Sequence, residues 1–146
     1  MKNYILFGLL FLSIFKFEVY AQKSKVAAGD RKYEKYAYID AIKTYEIVAN
    51  KGYKSADMFQ KLGNSYYFNS NFEGAVKWYE ALFAMNTAIE PEYYYRYAQS
   101  LRATGQTDKA DTILQEFASE NKNDSRGILS QGKRNYLARD MAKLSL

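Results

Sequence analysis

Phe59-Gln60-Lys61-Leu62-Gly63-Asn64-Ser65-Tyr66, followed across Asn71 by Phe72-Glu73-Gly74-Ala75-Val76-Lys77-Trp78-Tyr79-Glu80-Ala81-Leu82, is the stretch on which the fold turns. Its skeleton, Phe59-x-x-Leu62-Gly63-x-x-Tyr66 with Ala75-x-x-x-Tyr79-x-x-Leu82, returns as Tyr94-x-x-Tyr97-Ala98-x-x-Leu101 with Ala110-x-x-x-Leu114-x-x-Phe117. Gly63 to Ala98 is 35 residues, Ala75 to Ala110 is 35, and Ala41 to Ala75 is 34. A period of this length, made of two helical patterns per unit, marks stacked helix-turn-helix repeats. Small residues at Gly63, Ala75, Ala98 and Ala110 let two helix backbones approach closely, while Tyr66, Tyr79, Leu101 and Leu114 fill the space between them.

Working outward, Ser55, Asn71 and Thr107 suit helix N-caps, Pro91 a first helical turn, and Gly52 and Gly105 the residue after a helix C-terminus. The spacing predicts helices near 23–34, 38–50, 55–69, 72–85, 91–103 and 107–120, with a further one near 125–144. In that last stretch Ile128, Leu129, Tyr136, Leu137, Met141 and Leu144 recur at helical spacing behind the polar run Ser119 to Ser125.

These residues resemble the tetratricopeptide repeat (TPR) family. Leu62-Gly63-Asn64-Ser65-Tyr66-Tyr67, Asn71-Phe72-Glu73-Gly74-Ala75-Val76 and Tyr79-Glu80-Ala81-Leu82 follow its pattern closely, with Phe59 where the family has Trp and Thr87 where Pro is usual. A first, worn unit keeps a good second helix in Tyr38-Ile39-Asp40-Ala41-Ile42-x-x-Tyr45-x-x-Val48, but its first helix offers only Ala28-Gly29 and Tyr33, with Lys25 at the position of an aromatic. Atypical terminal units are the rule in such stacks. The resemblance implies an all-α, TPR-type helix-turn-helix superhelix of about three repeats plus a C-terminal capping helix. Its parts are repeats at about 22–53, 56–87 and 91–119, together filling 22–118, then a polar linker and cap over 119–146. The packing set is Ala41, Tyr45, Phe59, Leu62, Gly63, Tyr66, Ala75, Tyr79, Leu82, Tyr94, Tyr97, Ala98, Leu101, Ala110, Leu114 and Phe117.

In front of the repeats stand Met1-Lys2-Asn3, a nearly unbroken apolar run from Tyr4 to Phe15, and Val19-Tyr20-Ala21, a small-x-small cleavage pattern. The run is shorter than the ~20 apolar residues a spanning helix needs. Residues 1–21 therefore read as a secretory signal peptide, with Gln22 the first mature residue and an uncleaved membrane anchor as the alternative; membrane association is expected only through partners or such an uncleaved signal. Loss of Lys2, Lys16 and Glu18 takes the net charge from +5 to a mild +4. With no Cys, neither a disulfide nor a lipid-bearing cysteine is available, so stability rests on repeat packing.

The chemistry inventory points away from catalysis. There is no His and no Cys, which removes the usual metal and cofactor ligand sets and the Ser-His and Cys-His nucleophiles. Ser130-Gln131-Gly132-Lys133 matches the Ser-x-x-Lys of serine β-lactamases, yet lacks the partner motifs; a cell-envelope hydrolase using Ser130 and Lys133 is the alternative reading. Asp108 and Asp111 read as first-turn acids favoured by the helix dipole. A second alternative, nucleic-acid binding, rests on the basic balance and the segment Tyr93-Tyr94-Tyr95-Arg96-Tyr97, although Tyr94 and Tyr97 fall on the packing face. No cofactor, metal or nucleic acid is expected.

In TPR arrays the first helix of each repeat lines a concave groove. The resemblance places Gln60, Asn64, Tyr67 and Phe68 there in the second unit, Tyr95, Gln99 and Arg102 in the third, and Asp30, Tyr33 and Glu34 in the first. Amide and aromatic side chains of this kind suit recognition of an extended segment. The expectation is an exported, non-enzymatic module that scaffolds a complex by holding a protein or peptide segment, the partner an envelope protein. The paired basic residues of a clamp for peptide carboxylates are absent around Asn64, with Arg102 alone remaining. A leader followed by tyrosine-rich repeats also resembles the N-terminal part of Gram-negative envelope proteins whose repeats precede a β-propeller-like region and an OmpA-like domain. That likeness implies the periplasm of a Gram-negative bacterium, in association with the outer membrane, and a part in secretion or cell-wall linkage, the chain being a short adaptor or the front of a longer protein.

Overall fold

The computed structural model of the chain describes residues 20–85 and 87–120. Among them every regular element is a helix: α1 through residues 20–34, α2 Tyr38–Ala49, α3 Ala56–Phe68, α4 Phe72–Phe83, α5 Pro91–Ala103 and α6 Thr107–Glu120. Helix ends fall within two residues of the spacing-derived ones, except that α1 already runs through Tyr20 and Ala21. The rest of the expected leader and the closing helix near 125–144 lie outside the described residues. Two compact units divide between Lys54 and Ser55, the first holding α1 and α2 and the second α3 to α6.

Helix starts follow local chemistry. Ser55 Oγ accepts from the Met58 amide at 3.2 Å and Asn71 Oδ1 from the Gly74 amide at 2.9 Å, each satisfying one of the donors that a helix N-terminus leaves open. Pro91 opens α5, where its missing N–H has no helical partner to lose. Thr107 is a correction: it lies inside the first turn of α6, and the carbonyl of Gln106 takes the amide of Ala110 at 3.1 Å.

The turn inside each helix pair is one motif written three times. The Tyr36 amide donates to Tyr33 O and that of Ala37 to Lys32 O; Ser70 and Asn71 bond likewise to Tyr67 and Tyr66, and Gly105 and Gln106 to Arg102 and Leu101. These are Schellman closures, which need a left-handed residue after the helix. Tyr36, Ser70 and Gly105 supply it with φ of 58°, 57° and 78°. Only the third copy uses glycine, the residue that takes this conformation without steric cost.

Each unit has its own apolar centre. In the first, Val26, Ala41, Ile42, Tyr45 and Val48 are buried; in the second, Met58, Phe59, Leu62, Ala75, Val76, Trp78, Tyr79, Leu82, Tyr97, Ala98, Leu101, Ala110 and Phe117 are. Tyr66, Tyr94 and Leu114, placed by spacing in the same packing set, are partly exposed. The small positions work by close approach. A Cβ on Gly63 would stand 2.7 Å from the Tyr79 ring, and one on Gly29 would stand 2.5 Å from the Tyr45 ring, the same pair 34 residues earlier. In the third repeat Ala98 and Leu114 occupy these positions, a larger small residue opposite a smaller large one.

Candidate interaction face on α3 and α5

The site grows from one face of α3 and α5 within the second unit. At its base Tyr79 Oη donates to Asn64 Oδ1 at 2.7 Å, and Arg96 Nη1 donates to the same oxygen at 3.1 Å. Arg96 Nη1 also reaches Glu92 Oε1 at 3.3 Å, one helical turn back on α5. The guanidinium lies 5.1 Å from the centre of the Phe68 ring and 5.8 Å from that of Tyr93. Arg96 is 1% exposed and Asn64 2%. A desolvated charge of this kind is tolerated only with a counter-charge and hydrogen bonds in place, and Glu92, Asn64 and two aromatic faces provide them.

Helical phase puts Asn64 on the face turned away from α4; in the structure its carbonyl oxygen accepts from both Tyr79 and Arg96, and the residue is buried. The other named positions are spread around it. Gln60, Tyr67, Phe68 and Tyr95 are partly exposed, and Gln99 and Arg102 are exposed. Tyr67 and Phe68 meet edge to face at 5.4 Å, and Tyr95 lies edge-on to Phe117 at 6.3 Å. Arg102 Nη2 is paired with Asp111 Oδ1 on α6 at 2.7 Å, both side chains about half exposed, so its charge is partly spent within the repeat. In the first unit Asp30 Oδ1 accepts from Tyr45 Oη at 2.7 Å, the same latch as Asn64 with Tyr79. There Tyr33 packs edge-on to Tyr38 at 5.8 Å and Glu34 is exposed.

Arg96 itself is the residue that motif reading passes over. Its signal is nevertheless in the sequence: Asp57 and Lys61 stand four apart on α3, as Glu92 and Arg96 do on α5, 35 residues later. The earlier pair is bonded at 2.9 Å on a more exposed surface. Burial of Arg96 also removes the cation that a nucleic-acid reading of Tyr93 to Tyr97 requires, since a phosphate contact needs an accessible charge.

Behind the face, Lys109 Nζ on α6 holds Glu80 Oε1 on α4 at 2.6 Å. That hydrogen bond raises the pKa of Lys109, while burial raises those of Tyr97 and Tyr95. Among the described residues no cluster of three or more acidic, His or Cys side chains could hold a metal, and no helix is long and apolar enough to cross a membrane. Ser130 and Lys133 lie outside the described residues.

Helix pairs of this period, closed by one turn motif and packed through paired small and large residues, define an all-α helical-repeat fold of the TPR type. No protein-family model matches the chain, and no curated protein matches it either. Among solved structures it is similar to PcrH in complex with the chaperone binding region of PopB, with a TM-score of 0.61 over 78% of this chain and 93% of that one. At 17% identity the likeness is one of fold.

Proposed function

We propose that the chain is a non-enzymatic interaction module whose α3 and α5 face holds a segment of a partner protein. The observation that carries this reading is the floor of that face. The Arg96–Asn64–Glu92 network ties α3 to α5, with Phe68 and Tyr93 beside the guanidinium. Gln60, Tyr67, Tyr95 and Gln99 are left above it as adaptable polar and rigid aromatic contacts. Aromatic side chains supply contact area at small entropic cost, and a preorganised floor lowers the cost of ordering them on binding. The similar fold of PcrH, solved with a segment of another protein, supports the same use of the fold. The leader-like residues 1–21 support an exported protein working in a bacterial envelope complex.

The test is site-specific photo-crosslinking in living cells. A benzoylphenylalanine at Tyr67 or Gln99 is expected to trap one defined protein, the same from both positions, whereas the probe at Glu116 on α6 does not. Truncating Gln60 and Tyr67 to Ala is expected to abolish the Gln99 adduct with helical circular dichroism unchanged. Equal trapping from Glu116, or an adduct indifferent to the truncations, would remove the assignment.

A further inference from the structure

The turn between α1 and α2 departs from the code that its two copies share. Tyr36 corresponds to Ser70 and Gly105, Ile39 to Glu73 and Asp108, and Lys35 to Asn69 and Thr104, at intervals of 34 and then 35 residues. The second and third turns thus carry small, polar and acidic residues, as suits a tip that meets only water. The first puts an aromatic, a branched aliphatic and a cation in the same places. Neither apolar side chain is spent on the core: Tyr36 is 51% exposed and Ile39 55%. Tyr36 also holds a φ of 58°, a backbone cost that Gly105 avoids, with its ring edge-on to that of Tyr38 at 6.2 Å. Burial within the helix pair accounts for neither residue.

We infer that this tip docks the chain on an anionic lipid surface, with Tyr36 and Ile39 seated among the headgroups and the cations of the turn on their phosphates. Charge sets the class of surface. Arg31 and Lys35, at the end of α1, are exposed and not ion-paired among the described residues, and stand where the second repeat has Ser65 and Asn69. Nearby, Lys32 is bonded to Thr44 at 2.8 Å and Lys43 pairs with Asp40 at 3.7 Å, while Glu34 is exposed. The excess extends to the whole unit: residues 22–54 hold eight Lys and Arg against four Asp and Glu, and residues 55–120 five against nine. An anionic surface therefore attracts the first unit and repels the second. Shape favours lipid over an acidic protein segment. A segment needs a groove to lie in, and what this turn presents is two side chains standing half out in water. A lipid interface closes round single side chains, and tyrosine and lysine, each with an apolar body and a polar end, suit its depth. The turn lies at the far end of α1 from the leader, and the inference uses neither α3 nor α5. It is a direct contact, beyond the association through partners or an uncleaved leader expected from the sequence.

The chain has no cysteine, so a single introduced one carries a unique label. The full chain is labelled with a nitrobenzoxadiazole dye at Ala37→Cys, beside the tip, or at Gln106→Cys, the same position of the third turn. Each is mixed with vesicles of phosphatidylcholine alone or of equal parts phosphatidylcholine and phosphatidylglycerol. Emission from position 37 is expected to brighten and shift to the blue on the mixed vesicles only, while that from position 106 stays as in water. A leader acting by itself would recruit the chain to both kinds of vesicle. Tyr36→Ser with Ile39→Glu writes the second turn into the first, and is expected to abolish the shift with helical circular dichroism unchanged. Arg31→Ser with Lys35→Asn is expected to weaken binding to the mixed vesicles about fivefold for each charge removed, the worth of one Lys or Arg near such a surface, and added salt to weaken the unaltered tip as well. No shift at position 37, an equal one on phosphatidylcholine alone, one as large at position 106, or one undiminished in Tyr36→Ser with Ile39→Glu would each overturn the inference. The same shift produced by polyglutamate in place of vesicles would overturn it in favour of an acidic protein segment.

Discussion

Gly63 and Tyr79 show how a single pair sets the distance between two helices. Tyr79 is fully buried, its ring lies where a Cβ on Gly63 would be, and its hydroxyl is tied to Asn64. The ring therefore has no free direction in which to retreat. Gly63→Ala is expected to cost about 1–3 kcal/mol through overpacking, despite the better helix propensity of alanine. The third repeat holds the remedy in Ala98 and Leu114, so Tyr79→Leu is expected to restore part of the loss in the double variant. Urea denaturation of the two single variants and the double one measures it; strictly additive losses would mean that the two residues do not share one space. Arg96 differs in kind. The identity of a buried arginine is plain in the sequence, but its burial is decided by Asn64 and Phe68, 32 and 28 residues away.

At the scale of elements, the repeated turn carries a measurable strain. Ser70 holds φ of 57° in the Schellman closure between α3 and α4, where the third repeat has Gly105. A non-glycine residue in this region costs on the order of 1 kcal/mol. Ser70→Gly is thus expected to stabilise the chain by no more than ~0.5 kcal/mol after the added freedom of the unfolded chain is counted. A higher urea midpoint with an unchanged m-value checks it; a lower midpoint would mean that the Ser70 side chain contributes more than its backbone loses. These closures were only partly legible in advance. Gly105 announces its turn, whereas Tyr36 and Ser70 are placed by the helices on either side, which leave one conformation for the residue between them.

For the molecule as a whole, pH brings the packed second unit into view. Burial raises the Tyr97 pKa above its ordinary 10.0, so the folded state keeps a proton that the unfolded phenol releases. The hydrogen bond to Glu80 raises Lys109 above 10.5, so the folded state also favours the charged ammonium. Both contributions are fully present below the unfolded values and are lost as pH rises through the folded ones. Thermal midpoints measured from about pH 8 to about pH 11 are expected to hold level with respect to these groups and then fall above ~10. Tyr97→Phe is expected to flatten that fall, and an equal decline in the variant would place its origin elsewhere.

What the sequence determined by itself was the repeat: period, helix pairs, the small-and-large packing code and most helix ends follow from spacings along one chain, because helical periodicity and close approach are local rules applied at a fixed interval. It also exposed Lys25 as a departure from that code. Only the tertiary structure decided which polar residues of the α3 and α5 face stay available. Asn64 carries the same label as a ligand-binding amide in either case; that Tyr79 and Arg96 consume it depends on side chains 15 and 32 residues away converging on one oxygen.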